Sequence, residues 1–293
     1  MQQCLRPVIL TVQIIEVLTC IEGQRQPFDY LYCQYYRAQA LLHLGQWGDM
    51  LHTLQDGFHM AERNGHHLAR QLLQLAMVWL HEQAGDFASA HALCEHVLAQ
   101  AQATQHTTGY FFSLLLLGCA HHGLGQAKRA WHCFNAILQQ LEHDPDALEW
   151  IFQMPLRYAL SEYWLSQAAF EPARQEAKRL CTLAVQPGER TYLALGKHAL
   201  AKIALAEQQW EQAEAELSQA LAVLEGAEAP LAAWRVYATA AQFYERRGCS
   251  MQARRYWTRS AAVRTRLADS LGNARELRQS LLAYLPVASR ACA

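Results

Sequence analysis

Apolar residues recur along this chain with the 3.6-residue rhythm of a buried helix stripe. After Gln208 they fall at Trp210, Ala213, Leu217, Ala220, Leu221 and Leu224, and after Gly85 at Phe87, Ala90, Leu93, Cys94, Val97 and Leu98. The runs that precede these turns, such as "ARQLLQLAMVWLHEQ" and "ERTYLALGKHALAKIALAEQ", are equally apolar and lack the alternation of a strand. The pattern predicts a unit of helix, short turn, helix.

The phrase "AGDFASAHAL" at residues 84–93 has variants along the chain that fall into register. Turn anchors stand at Gly45, Gly85, Gly125, Ala168, Gln208 and Gly248, separated by 40, 40, 43, 40 and 40 residues. Five residues after each anchor stands a small or apolar residue: Met50, Ala90, Ala130, Ala173, Ala213 and Ala253. An aromatic follows two residues after the anchor at Trp47, Phe87, Phe170 and Trp210, with Ala127 and Ser250 as exceptions. Seven residues before the anchor stand Ala38, Gly118, Ser161, Ala201 and Ala241, with Val78 the larger exception. Glycine at four anchors supplies a left-handed backbone that ends the first helix. The small residues predict close approach of the two helices of a pair, and the aromatic is expected to fill the wedge where they splay.

The breaks between units have their own chemistry. "HDPDALE" offers Asp144 as a cap and Pro145 as a first helical residue, and "VQPGER" and "EGAEAP" place Gly and Pro where a helix must stop. The 43-residue interval contains Pro155, which predicts a kinked first helix or a separate turn at residues 146–153.

A two-helix unit of about 40 residues that cannot bury its apolar face alone, repeated six times, predicts an all-α solenoid. Residues 28–268 would form the repeats, 1–27 an N-terminal helix packed on the first, and 269–293 a capping helix with a tail. The small, small, aromatic pattern resembles the tetratricopeptide repeat, although that family has a period of about 34 residues. The longer units, and the stretch "APLAAWRVYATAAQFYERRGCSMQARRYWTRSAAVRTRLADSL", resemble the C-terminal superhelix of bacterial MalT-type and cyclase-linked signalling ATPases. That resemblance implies a module that senses an effector or holds a partner while a separate domain does chemistry.

Composition narrows the class. With 52% hydrophobic and 17% charged residues, against about 25% charged in an average domain, the chain can bury a large core. A formal net charge of -1 gives no global attraction to nucleic acid or anionic membrane. Nine scattered cysteines without a C-x-x-C pair fit reduced thiols and a cytoplasmic setting. The apolar N-terminus is interrupted by Gln13 and Glu16 and lacks a small-x-small cleavage site, so it reads as an amphipathic helix rather than a signal peptide.

Catalytic motifs are missing: there is no phosphate loop around Gly196-Lys197, no G-x-S-x-G, no G-x-G-x-x-G, and His81-Glu82 lacks a second His. The chain is not expected to be an enzyme or to carry a cofactor. Three constellations nevertheless stand out. "GCAHHGLGQAKRAWHCF" places Cys119, His122, His132 and Cys133 across a turn, a set that could offer zinc four ligands, but adjacent His132 and Cys133 point about 100° apart and no metal is expected. Thirteen of the fourteen histidines lie between His43 and His143, and they are read as residents of exposed helix faces rather than a pH switch. Arg246, Arg247, Arg254, Arg255, Arg259, Arg264, Arg266, Arg275 and Arg278 make the C-terminal half basic; a solvated outer face accounts for them better than a nucleic-acid surface.

In tetratricopeptide-like stacks the first helix of each unit lines the groove. Counted from the small position, the residues three before, one after and four after face it: Tyr35, Gln39, Trp79, Glu82, Cys119, His122, Tyr158, Glu162, His198, Lys202, Gln242 and Glu245. Aromatics, amides and both charge signs suit a peptide or a small polar effector, with the aromatics as anchors and the polar groups giving direction. The expected function is a non-catalytic interaction scaffold or sensor module; the alternative is a receptor that encloses a small effector.

Overall fold

The computed structural model describes residues 27–144 and 150–284, and these form thirteen helices with no strand among them. They are α1 (Pro27–Leu44), α2 (Trp47–Arg63), α3 (His67–Gln83), α4 (Phe87–Ala103), α5 (Thr107–Gly123), α6 (Ala127–His143), α7 (Trp150–Ser166), α8 (Phe170–Val185), α9 (Arg190–Ala206), α10 (Trp210–Leu224), α11 (Pro230–Arg246), α12 (Ser250–Ser270) and α13 (Arg275–Ala283). The chain divides into two compact units. The first holds hairpins α1/α2, α3/α4 and α5/α6 together with Ala268–Leu281; the second holds α7/α8, α9/α10 and the α11/α12 pair up to Leu267. It is an all-α solenoid of helical hairpins, as the repeat predicts. The expected N-terminal helix, Pro145 and the end of the tail lie outside the described residues.

All six turn anchors have a left-handed backbone: φ is 74° at Gly45, 76° at Gly85, 75° at Gly125, 55° at Ala168, 60° at Gln208 and 73° at Gly248. Each closes the same double-bonded helix end. The Gln46 amide donates to the Leu41 carbonyl at 2.9 Å and the Gly45 amide to that of Leu42 at 3.1 Å; at the last turn Cys249 donates to Tyr244 at 2.8 Å and Gly248 to Glu245 at 3.0 Å. Orphan carbonyls at the helix end are thereby satisfied.

The small positions are buried, and at Gly118 the reason is direct: a Cβ there would stand 2.5 Å from the ring of Phe134 on the partner helix α6. The post-turn aromatic does something other than expected. At three of the four positions it reaches the first helix of the next hairpin, whereas the Trp47 indole donates to the Leu42 carbonyl of its own pair at 3.1 Å. Phe87 occupies the space where a Gly123 side chain would start, Trp210 lies 6.4 Å from Phe243, and Phe170 packs with Ala199, Leu200 and Ile203. Phe87, Phe170 and Trp210 therefore contribute to the stacking of one hairpin on the next.

The proline expectations were partly corrected. α7 already runs from Trp150 and continues through Pro155, so residues 150–153 belong to the helix and not to a separate turn. Pro155 removes one backbone bond near the start without ending the helix. Asp144 is the extended residue that ends α6, and the helix it was expected to cap at Pro145 lies outside the described residues.

Candidate functional site

Within each unit, first helices pack directly on the first helices of adjacent hairpins, α1 on α3 and α3 on α5, α7 on α9 and α9 on α11. Residues flanking the small position consequently lie between neighbouring helices. This explains why Tyr35, Gln39, Trp79 and His198, expected to face a groove, are buried, with exposures of 2%, 5%, 3% and 1%. Glu82, Cys119, His122, Tyr158, Glu162, Lys202 and Gln242 are half-buried, and Glu245 is exposed.

In the first unit these residues form an aromatic seam. His43 meets Trp79 edge-on at 5.6 Å, and Trp79 meets Phe112 at 5.4 Å. Burial, the Glu82 carboxylate and the neighbouring Cys94 and Cys133 together raise the pKa of the half-buried Cys119 thiol well above the ordinary thiol range. Burial likewise pushes Cys133 up to about 11, and the buried Cys94 donates its thiol proton to the Ser113 carbonyl at 3.2 Å. His132 is exposed while Cys133 is buried, so these neighbours face different surroundings. Among the described residues no cluster of three or more His, Cys, Asp or Glu is arranged to hold a metal.

In the second unit Glu162, His198 and Lys202 come together. Lys202 donates to Glu162, which stands at the same repeat position 40 residues earlier, so the pair ties α9 to α7. His198 Nε2 lies 2.8 Å from the Thr239 hydroxyl on α11, and its Nδ1 is buried with no hydrogen-bond partner among the described residues. Burial, reinforced by the Lys202 ammonium, lowers the imidazole to a pKa of about 3 and keeps it neutral. Lys202 is nearly enclosed, with its side chain 10% exposed. Trp257 Nε1 donates to Glu245 at 2.7 Å.

Sequence reasoning missed a second set of residues, eleven before and eight after the anchor. Arg157 pairs with Glu176 at 3.0 Å, Lys197 with Glu216 at 3.2 Å, and Tyr237 stacks on Tyr256 at 6.3 Å, so the same site within successive hairpins is closed by charge, charge and aromatic. The recurrence of a base and an acid at 40-residue spacing was the available signal. Two arginines engage aromatic rings: the exposed Arg259 lies 4.1 Å over the Tyr237 ring and donates to its hydroxyl, and the half-buried Arg264 lies 5.7 Å over Trp234. Arg246, Arg247, Arg254, Arg255, Arg266 and Arg275 remain exposed.

The histidines of the first half are not all on exposed faces. His81 and His121 occupy the same repeat position and bridge the turn, to Asp86 at 2.9 Å and to Gln126 at 2.8 Å. His121 is buried, and burial lowers its pKa.

No known protein family matches the sequence, and no curated protein does. The crystal structure of BtubC (BKLC) from P. vanneervenii is similar in fold, with a TM-score of 0.52 at 14% sequence identity, covering 87% of this chain and 94% of that one. The chain is an all-helical repeat protein. No helix among the described residues is long and apolar enough to cross a membrane.

Proposed function

We propose that the chain is a non-catalytic scaffold that holds a protein or peptide partner on its first-helix layer, in the manner of tetratricopeptide-like modules. The observation that carries this reading is the division of labour along the first helices. The central positions are consumed by packing between hairpins, while Tyr158, Gln242 and Glu245 keep part of their surface in the second unit, and Glu82 and His122 in the first. A repeated rigid layer with a few accessible aromatic and polar groups suits recognition of an extended or helical segment, with the aromatic as anchor and the polar groups setting direction. The sequence resemblance to the superhelix of bacterial signalling ATPases supports a regulatory or sensor role in the cytoplasm beside a separate catalytic domain.

The test is affinity capture with cross-linking, using the full chain and a Tyr158→Ala/Gln242→Ala/Glu245→Ala variant. Capture of one protein by the wild type and its loss in the variant, with unchanged thermal unfolding, is the expected result. Equal capture by both chains, or none by either, would remove this reading.

A further inference from the structure

A cavity of about 410 Å³ lies where the second helices α4 and α6 diverge over α5, within the first unit. Its floor is apolar, built from Leu98 on α4 and from Leu114 and Leu117 on α5. Its rim is basic: Lys128, Arg129 and His132 stand on one side of α6, and among the described residues no carboxylate contributes to the lining. Among the described residues no ion pair engages Lys128 or Arg129; Arg129 reaches only the Gln126 amide oxygen, at 3.5 Å. His121 closes one end, with Nδ1 directed to the same Gln126 oxygen and its imidazole held neutral by burial. The volume falls within the range of small-molecule sites, which combine an apolar body with a few converging polar groups.

The repeat supplies an internal comparison. At the corresponding place over α9, Lys197 and Glu216 take the positions of Leu114 and Cys133 and form an ion pair across the space. Glu211 and Gln212 there replace Lys128 and Arg129. Acidic Glu211 in the first turn is the ordinary choice for a helix N-terminus, whereas two adjacent cations in the first turn of α6 oppose the helix dipole and are locally uncompensated. One groove is thus internally neutralised, and the other pairs an apolar floor with unspent positive charge.

We propose that the α4/α5/α6 cavity binds a small amphipathic organic anion, its carboxylate or phosphate head held by Lys128, Arg129 and His132 and its hydrocarbon body on Leu98, Leu114 and Leu117. The site opens between second helices over α5 and shares no residue with the Tyr158, Gln242 and Glu245 surface tested for a protein partner, so either reading can fail without the other.

Calorimetric titration of the full chain with octanoate, octyl phosphate and 1-octanol tests it. Saturable one-to-one binding of octanoate or octyl phosphate is expected, weakened at least about tenfold in a Lys128→Gln/Arg129→Gln variant, and 1-octanol is expected to bind at least about tenfold more weakly than the better anion. Preference for octanoate over octyl phosphate identifies a carboxylate site, and the reverse a phosphate site. Ala136→Phe, at a half-buried lining position, fills the cavity and should abolish binding while leaving the far-ultraviolet helix signal unchanged. Equal binding of 1-octanol and the anions, retention of affinity in the double variant or in Ala136→Phe, or no heat with either anion at millimolar concentration would overturn the proposal.

Discussion

Arg157 Nη1 lies 3.0 Å from Glu176 Oε2, and 40 residues later Lys197 Nζ lies 3.2 Å from Glu216 Oε2, so one ion pair is set at the same place in two successive hairpins. Both carboxylates are largely enclosed, with side-chain exposures of 10% and 17%. Breaking such a pair strands a charge that water cannot fully reach. Glu176→Ala should therefore lower stability by about 2 kcal/mol, measured by urea unfolding. The companion Arg157→Leu/Glu176→Ala variant should recover most of the loss, because the hairpin α5/α6 tolerates the apolar pair Leu114 and Cys133 at these positions. A double variant no more stable than the single one would show that Arg157 is not the partner that matters.

Two turn anchors carry side chains where the backbone is left-handed. Ala168 has φ 55° and Gln208 φ 60°, in the same double-bonded helix end that glycine occupies at the other four. A Cβ in this region crowds the following carbonyl, and glycine does not. Ala168→Gly and Gln208→Gly are each expected to stabilise by about 0.5–1 kcal/mol, with Gly125→Ala changing stability by about the same amount in the opposite sense. Thermal unfolding of the three variants checks the sign, and a uniform loss across all three would contradict the argument.

The turns, the small positions and the hairpin count were legible in the sequence because each is imposed by local geometry that recurs at a fixed interval. The site residues were not, because exposure of Tyr35, Gln39, Trp79 and His198 depends on how one hairpin lies on the next. The aromatic after the turn shows the same limit: its spacing revealed that Phe87 matters, and only the packing shows that it faces Gly123 of the following hairpin. Arg264 counted as surface charge in the sequence, yet it is half-buried over Trp234 of α11, thirty residues away along the chain.

Gly118 and Phe134 show how tightly a hairpin closes. A methyl group at 118 would stand 2.5 Å from the Phe134 ring, which is fully buried and has no room to withdraw. Gly118→Ala should cost about 2 kcal/mol through overpacking, despite the better helix propensity of alanine. In the Phe134→Leu background the same change should cost less, since the clashing ring edge is gone. Chemical denaturation of the four proteins in this cycle measures the coupling, and simple additivity would rule the steric explanation out.

His198 makes folding sensitive to acid. Its imidazole is buried beside Lys202 and Arg235, with only the Glu162 carboxylate opposing them, and its folded pKa is lowered to about 3. An unfolded histidine takes up a proton near pH 6.5. Between these values the unfolded chain binds a proton that the folded chain refuses, so stability is complete above pH 6.5 and is lost as pH falls towards 3. The slope attributable to this one group is about 1.4 kcal/mol per pH unit. Burial lowers His106 and His121 as well, adding to the loss in the same direction. Replacing His198 by Gln keeps a polar group to meet the Thr239 hydroxyl but removes the titration. The pH dependence of urea unfolding between pH 7 and 5 should flatten in His198→Gln relative to wild type; superimposable slopes would show that His198 takes up its proton without unfolding the chain.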